Sequence, residues 1–260
     1  PHLGYRLLST PDVLHADDLL TRLGQTRVVG RDIRVFQETS STNDVIEKLA
    51  RDGVKEGVVV FAESQTKGRG RLGRKWLSPP GKGLWFSVLL RPDLRPQAVT
   101  QLTIASATAL VRAIRSTTNP APEIKWPNDL YVGAKKLAGV LTEFSVREKK
   151  VDWAVLGMGM NVGWHPEVPQ GSGAPATSLL EETGQPVSRN QLLVEILKGF
   201  EALYRDVVRG SMEALYDEWN HECLVLGKAV VIESDTERIE GRALRIDDCG
   251  ALIIEDAKGD

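Results

Sequence analysis

The sequence predicts an α+β domain followed by a small β-barrel module. Up to residue 222, helical patterns with apolar residues three and four apart alternate with short strand-like runs. A hairpin pattern sits in the middle of that stretch. From Leu226 the pattern changes to short alternating strands, at 229–233, 240–246 and 251–255, which suits an appended β module.

Taken in order, residues 12–23 read as an amphipathic helix carrying Leu14, Leu19, Leu20 and Leu23, stopped by Gly24. Ile33 to Phe36 reads as a brief strand. Ser41-Thr42-Asn43-Asp44 opens a helix through Arg51, with Val45, Ile46, Leu49 and Ala50 on one face and Gly53 as stop. Ser41 and Asp44 have capping-box spacing, while hydroxyls at a helix N-terminus can equally bind a polar ligand. Val58 to Ala62 is a continuously apolar strand. After a basic loop, Ser78-Pro79-Pro80-Gly81 turns the chain, Leu84 to Leu90 forms a strand, and 96–116 a long apolar helix.

Ile124 ends a strand that Pro127 breaks. Leu130 to Val132, the turn Gly133-Ala134 and Leu137 to Val146 form the hairpin. Val151 to Val162 reads as a strand interrupted at Gly157-Met158-Gly159-Met160-Asn161, which lacks the third glycine and following helix of a dinucleotide fingerprint. Residues 163–176, rich in Gly, Pro and Ser, are expected to form a mobile loop. Helices follow at 189–209 and 211–222.

The 260 residues carry 33 Lys+Arg against 35 Asp+Glu, a net charge of −2, so nothing global attracts nucleic acid or an acidic membrane. With 42% hydrophobic and 26% charged residues the composition is that of a folded globular chain. Cys223 and Cys249 make no zinc or redox spacing, and the four histidines are scattered. No apolar run reaches the ~18 residues of a membrane span and no signal peptide opens the chain, so a cytoplasmic location is expected.

Against this even balance, Gln65 to Trp76 stands out: five cations and three glycines in twelve residues, without a carboxylate. Glycines let a backbone approach a ligand closely, and guanidinium forks match carboxylate and phosphate oxygens. The run Gly68-Arg69-Gly70-Arg71 therefore describes a loop that wraps a small anion, with a nucleic-acid patch as the other reading of its composition. It is not a Walker loop, because Arg74-Lys75 stands where Lys-Ser/Thr is needed. No GxSxG, Cys–His pairing, HExxH or metal-ligand set accompanies it. Lysines, arginines and amides beside glycine-rich turns suit a reaction in which the substrate is itself the nucleophile and the enzyme stabilises charge on phosphorus.

Gly68-Arg69-Gly70-Arg71-Leu72-Gly73-Arg74-Lys75-Trp76, Lys125-Trp126-Pro127-Asn128-Asp129 and Lys135-Lys136-Leu137-Ala138-Gly139 together resemble the biotin–protein ligases. Ser41-Thr42-Asn43 and Gly157 to Asn161 stand in that family's order, and the resemblance covers residues 30–257. It implies a catalytic domain related to class II aminoacyl-tRNA synthetases, at 30–223, and an SH3-like module at 224–260 that looks truncated. It implies biotin and MgATP as reactants, biotinyl-5′-AMP as intermediate, and a lysine of a carboxylase's biotin carboxyl carrier domain as acceptor. By the same resemblance Ser41, Thr42, Asn43, Gln65, Gly68, Arg69, Gly70, Arg71, Lys136 and Gly139 would face biotin. Arg74, Trp76, Lys125, Asn128 and Asn161 would face ATP. Lys136, Arg71 and Asp129 would be catalytic, Lys136 as the central cation and Asp129 serving magnesium or the incoming lysine. Trp126 reads as core support, Trp76 also suits packing, and Lys135 reads as solvated.

Residues 1–29 resemble the end of a winged helix plus a linker helix, with Gly4-Tyr5-Arg6-Leu7-Leu8 as the last wing strand. The expectation is that this chain lacks a DNA-binding domain and does not bind DNA specifically. Two further functions stand beside the leading one. One is a lipoate ligase, disfavoured because that family lacks the Gly-Arg-Gly-Arg run; the other is a biotin-responsive repressor in the parent protein. Some members pair sheet edges, which makes a homodimer an expectation too.

Overall fold

A computed structural model describes residues 12–169, 173–233, 238–247 and 249–256. Its main sheet has seven strands: β1 (Asp32–Thr39), β2 (Val58–Gln65), β3 (Gly83–Leu90), β4 (Glu123–Lys125), β5 (Asp129–Val132), β6 (Lys135–Arg147) and β7 (Lys150–Asn161). They lie in the order β1-β2-β3-β7-β6-β5-β4. Only β1 and β2 run parallel, and α2 (Thr42–Arg51) makes the crossover between them. β2 and β3 are buried on both faces, which is why they read as mostly apolar runs without alternation.

On one face α2 lays Ile46 and Ala50 against Val58, Val60, Leu89 and Val155. The other face carries α1 (Ala16–Leu23), α3 (Thr100–Thr117), α5 (Arg189–Arg209) and α6 (Glu213–Glu222). Leu19, Phe61, Phe86, Leu110, Leu197, Phe200 and Trp219 share the core there. That core is continuous from Leu14 to Leu252.

The structure departs from the sequence reading at β7 and in a further short helix, and it adds detail to the loop and to the C-terminal strands. β7 is unbroken through Gly157 and Gly159, because its neighbours β3 and β6 pair with it throughout. A short helix α4 (Leu179–Thr183) follows the loop, capped by the Ser178 hydroxyl accepting from the Glu181 amide and closed by left-handed Gly184. The loop before it is pinned: Lys136 donates its backbone N–H to the Pro175 carbonyl and accepts from Thr177. Finally, β8 (Ala229–Glu233), β9 (Arg238–Ile246) and β10 (Leu252–Glu255) form a three-stranded antiparallel sheet, and among the described residues no barrel closes.

This small sheet docks through Ile246 and Leu252, with the Trp126 indole donating to the Gly250 carbonyl at 3.1 Å. The expected wing strand at residues 4–8 lies outside the described residues, as do 170–172 of the loop and 257–260. No described helix is long and apolar enough to cross a membrane.

Candidate active site

The end of β2, the start of β3, the start of β6, the end of β7 and the N-terminus of α2 meet at one end of the sheet. The registers bring them together: Gly83 pairs with Asn161, and Ala138 with Met160.

At the start of α2, Ser41 is buried but makes no side-chain cap, so the capping-box expectation fails. Asp44 instead takes the Ser40 hydroxyl at 2.9 Å and Arg69 at 2.5 Å. The Gln65 side-chain oxygen accepts from the Thr42 amide at 2.9 Å, while its nitrogen donates to Ser78. The Ser87 hydroxyl lies 2.7 Å from Thr42 Oγ1 and 2.5 Å from Asn43 Oδ1. Asn43 donates its amide to Glu143 at 2.6 Å. A Cβ on Gly157 would come within 2.2 Å of Asn43 Oδ1, so only glycine leaves that amide its place. The result is a preorganised set of fixed donors and acceptors, suited to a neutral polar head group.

The basic loop leaves β2 with its stem tied down. Thr66 and Lys67 donate backbone N–H groups to Thr39 and Ser40, and Trp76 donates to Gly68. Leu72 and Gly73 turn the tip with positive φ, and Leu72 is 88% exposed. Arg69 does not point at open space: it reaches Asp44 and, at 3.0 Å, Glu143. Burial alone would lower its pKa, but the hydrogen bonds it donates to Asp44 and Glu143, with their charges, outweigh that and raise it. Arg71 crosses to the other wall, donating to Asn128 Oδ1 at 3.3 Å.

On that wall Lys136 Nζ is 2.6 Å from Asp129 Oδ2 and 5.5 Å from the centre of the Trp76 ring. Trp76 lies over Gly159 and Gly139, where added Cβ atoms would approach its ring to 2.7 and 3.5 Å. Its indole Nε1 faces Gly159, buried and with no hydrogen-bond partner among the described residues. Asn128 donates to the Val140 carbonyl. Burial pushes the Tyr131 phenol up, Asp129 adds to the rise, and Arg74 pulls it back.

Two expected ATP-facing residues are engaged elsewhere. Asn161 donates to the Thr177 carbonyl at 2.9 Å and so holds the strap beside Lys136. Lys125 sits 4.9 Å over the Tyr131 ring. Lys135, read as solvated, keeps an exposed side chain and pairs at the surface with Glu181 at 2.5 Å. Glu143, Asp44 and Ser87 belong to the site and were missed. For Ser87 the signal was a single hydroxyl inside an otherwise apolar buried strand.

Residues 35–161 match the biotin/lipoate A/B protein ligase family. The chain is 35% identical to the bifunctional ligase/repressor BirA of Bacillus subtilis, covering 98% of this chain and 79% of that one. It is 31% identical to a biotin–[acetyl-CoA-carboxylase] ligase of Paracoccus denitrificans, over 86% of this chain and 95% of the relative. Among solved structures it is similar to the Aquifex aeolicus biotin protein ligase in complex with biotin and ATP, with TM-score 0.75 and 32% identity, covering 88% of this chain and 94% of that one.

Proposed function

This chain belongs to the biotin/lipoate A/B protein ligase family, and on that premise we propose that it is an ATP-dependent biotin–protein ligase acting on a biotin carrier domain. In the first half-reaction the biotin carboxylate attacks the α-phosphorus of ATP, the bond to the β-phosphate oxygen breaks, and pyrophosphate leaves. In the second, a carrier lysine amine attacks the acyl carbon and AMP leaves.

The observation that carries this reading is the placement of Lys136. Its ammonium has three donors, so it can keep Asp129 while donating to a carboxylate and a phosphate oxygen. That offsets the repulsion between the two anions and strengthens as charge shifts during attack. Arg71, which donates to Asn128 Oδ1, would supply a second cation to the same oxygens. Thr42, Asn43, Gln65 and Ser87 would hold the ureido head, and the Trp76 ring would meet the nucleotide. Asp129 would take a proton from the incoming lysine.

Magnesium would arrive with the triphosphate, which supplies most of its ligands. The described residues hold no cluster of three His, Cys, Asp or Glu that could build a separate metal site, so the protein would add at most a carboxylate such as Asp129. The partner we propose is the biotin carrier of acetyl-CoA carboxylase, as the name of the Paracoccus relative suggests.

Mass spectrometry of a carrier domain after incubation with this chain, biotin and MgATP tests the proposal. One biotinyl group on one lysine, dependent on both reactants, is expected. Lipoyl transfer in a parallel incubation, with none from biotin, would overturn it.

A further inference from the structure

Glu143 brings a carboxylate to the head-group end of the site, and its oxygens are engaged there. It accepts the Asn43 amide at 2.6 Å and both Nε and Nη2 of Arg69, at 3.3 and 3.0 Å. Asp44 holds the remaining side of the same guanidinium at 2.5 Å. Arg69 lies between Gly68 and Gly70 in the loop, Asp44 on α2 and Glu143 on β6, so three elements meet at one planar cation. One guanidinium bridges both carboxylates and offsets one of their two charges, so Arg69 is engaged before any substrate anion arrives. A fork with five fixed donors can bridge two carboxylates and fix a loop's orientation as well as its distance.

We propose that Asp44 and Glu143 form a two-point latch for Arg69, and that Glu143 is a positioning residue that sets both the loop stem and the Asn43 amide over the substrate head group. Through the latch the stem is seated before ligand binds, so only the tip around Leu72 has to order. The claim that this controls retention of biotin and its adenylate rests on the ligase reading above; the claim that Glu143 seats the stem does not.

The conservative variants separate the two contacts. Glu143→Gln keeps an oxygen for the Asn43 amide but loses the charge that holds Arg69; Glu143→Ala loses both. Hydrogen exchange on the ligand-free protein reads the latch directly. The amides of Thr66 and Lys67, which bond to Thr39 and Ser40, and of Gly70, which bonds to Arg74, should exchange about tenfold faster in Glu143→Gln and Glu143→Ala. Exchange in β3 and β7 should stay as in wild type. Steady-state kinetics of pyrophosphate release should show the biotin KM rising ~10-fold in Glu143→Ala and less in Glu143→Gln, with kcat changed by less than ~3-fold, the pattern of lost uniform binding.

Unchanged exchange at residues 66–70 would overturn the latch. So would faster exchange spread through the whole sheet, which would mark a merely structural role. If the wild-type protein releases no pyrophosphate with biotin and ATP, the ligase reading falls, and the exchange result still decides the latch.

Discussion

Lys136 Nζ and Asp129 Oδ2 lie 2.6 Å apart across neighbouring strands, with the two side chains 30% and 22% exposed. Gly139, opposite Asp129 in the register, leaves the space they share: a Cβ there would reach Asp129 Oδ1 at 3.0 Å. On the proposed reading this pair would hold a cation ready and keep a proton acceptor beside it.

Separating these roles gives a first prediction. Asp129→Asn should slow transfer from preformed adenylate to a carrier lysine by ~10², the low end for a lost general base. Adenylate formation should slow by only about tenfold, through loss of the Lys136 anchor. Single-turnover measurements of each half-reaction provide the check. Equal losses in both would assign Asp129 an anchoring role alone.

Gly157→Ala should act on the head-group site through Asn43. The new methyl cannot coexist with an amide oxygen 2.2 Å away, so Asn43 must leave Ser87 or Glu143. Overpacking of this kind costs about 1–3 kcal/mol. Denaturant unfolding should show that loss, and biotin titration should show weaker binding.

Arg189 is 4% exposed and pairs with Glu63 at 2.7 Å and Asp12 at 3.0 Å. Burial alone would lower its pKa, but the hydrogen bonds and charges of Glu63 and Asp12 outweigh it and raise it. Arg189→Met should destabilise the fold by about 3–5 kcal/mol, because Glu63 is left buried without its counter-charge. Equilibrium unfolding of the variant measures this.

How much of this could be read from the residues depended on whether a feature was local. The loop's cations and glycines are consecutive, so their density was visible without any fold. The strand runs at β2 and β3 were equally plain, because burial on both faces leaves no alternation to decipher. Gly157 and Gly159 misled, since glycine weakens an isolated strand and its reason for being there, room for Asn43 and Trp76, comes from distant segments. The Ser41–Asp44 spacing misled for a related reason: spacing cannot show that Asp44 turns toward Arg69. Glu143 gave no signal at all, because a carboxylate on a long strand looks the same facing water or facing a site. For α4 the signal was present, Ser178 three residues before Glu181 with Gly184 beyond.

Alkaline pH provides a further test of the core. Burial, then the hydrogen bond to Glu56, pushes the Tyr204 phenol far above its ordinary 10.0. A raised pKa in the folded state means the stabilisation is whole below the unfolded value and is lost as pH climbs above it. Tyr204→Phe should therefore be less stable than wild type by about 1.5–3 kcal/mol near neutral pH, with the gap closing above pH ~10. Urea midpoints across pH 7–11 would show it, and a constant gap would contradict it.

The most direct measurement of the central claim is pyrophosphate release with biotin and MgATP by wild type and by Lys136→Met. Methionine keeps the stem and removes the charge, so folding should be little affected. The adenylation rate should fall by ~10²–10³, while biotin still binds, more weakly, at Thr42, Asn43 and Gln65. Adenylate formation by Lys136→Met at a near wild-type rate would contradict the account and move the bridging role to Arg71.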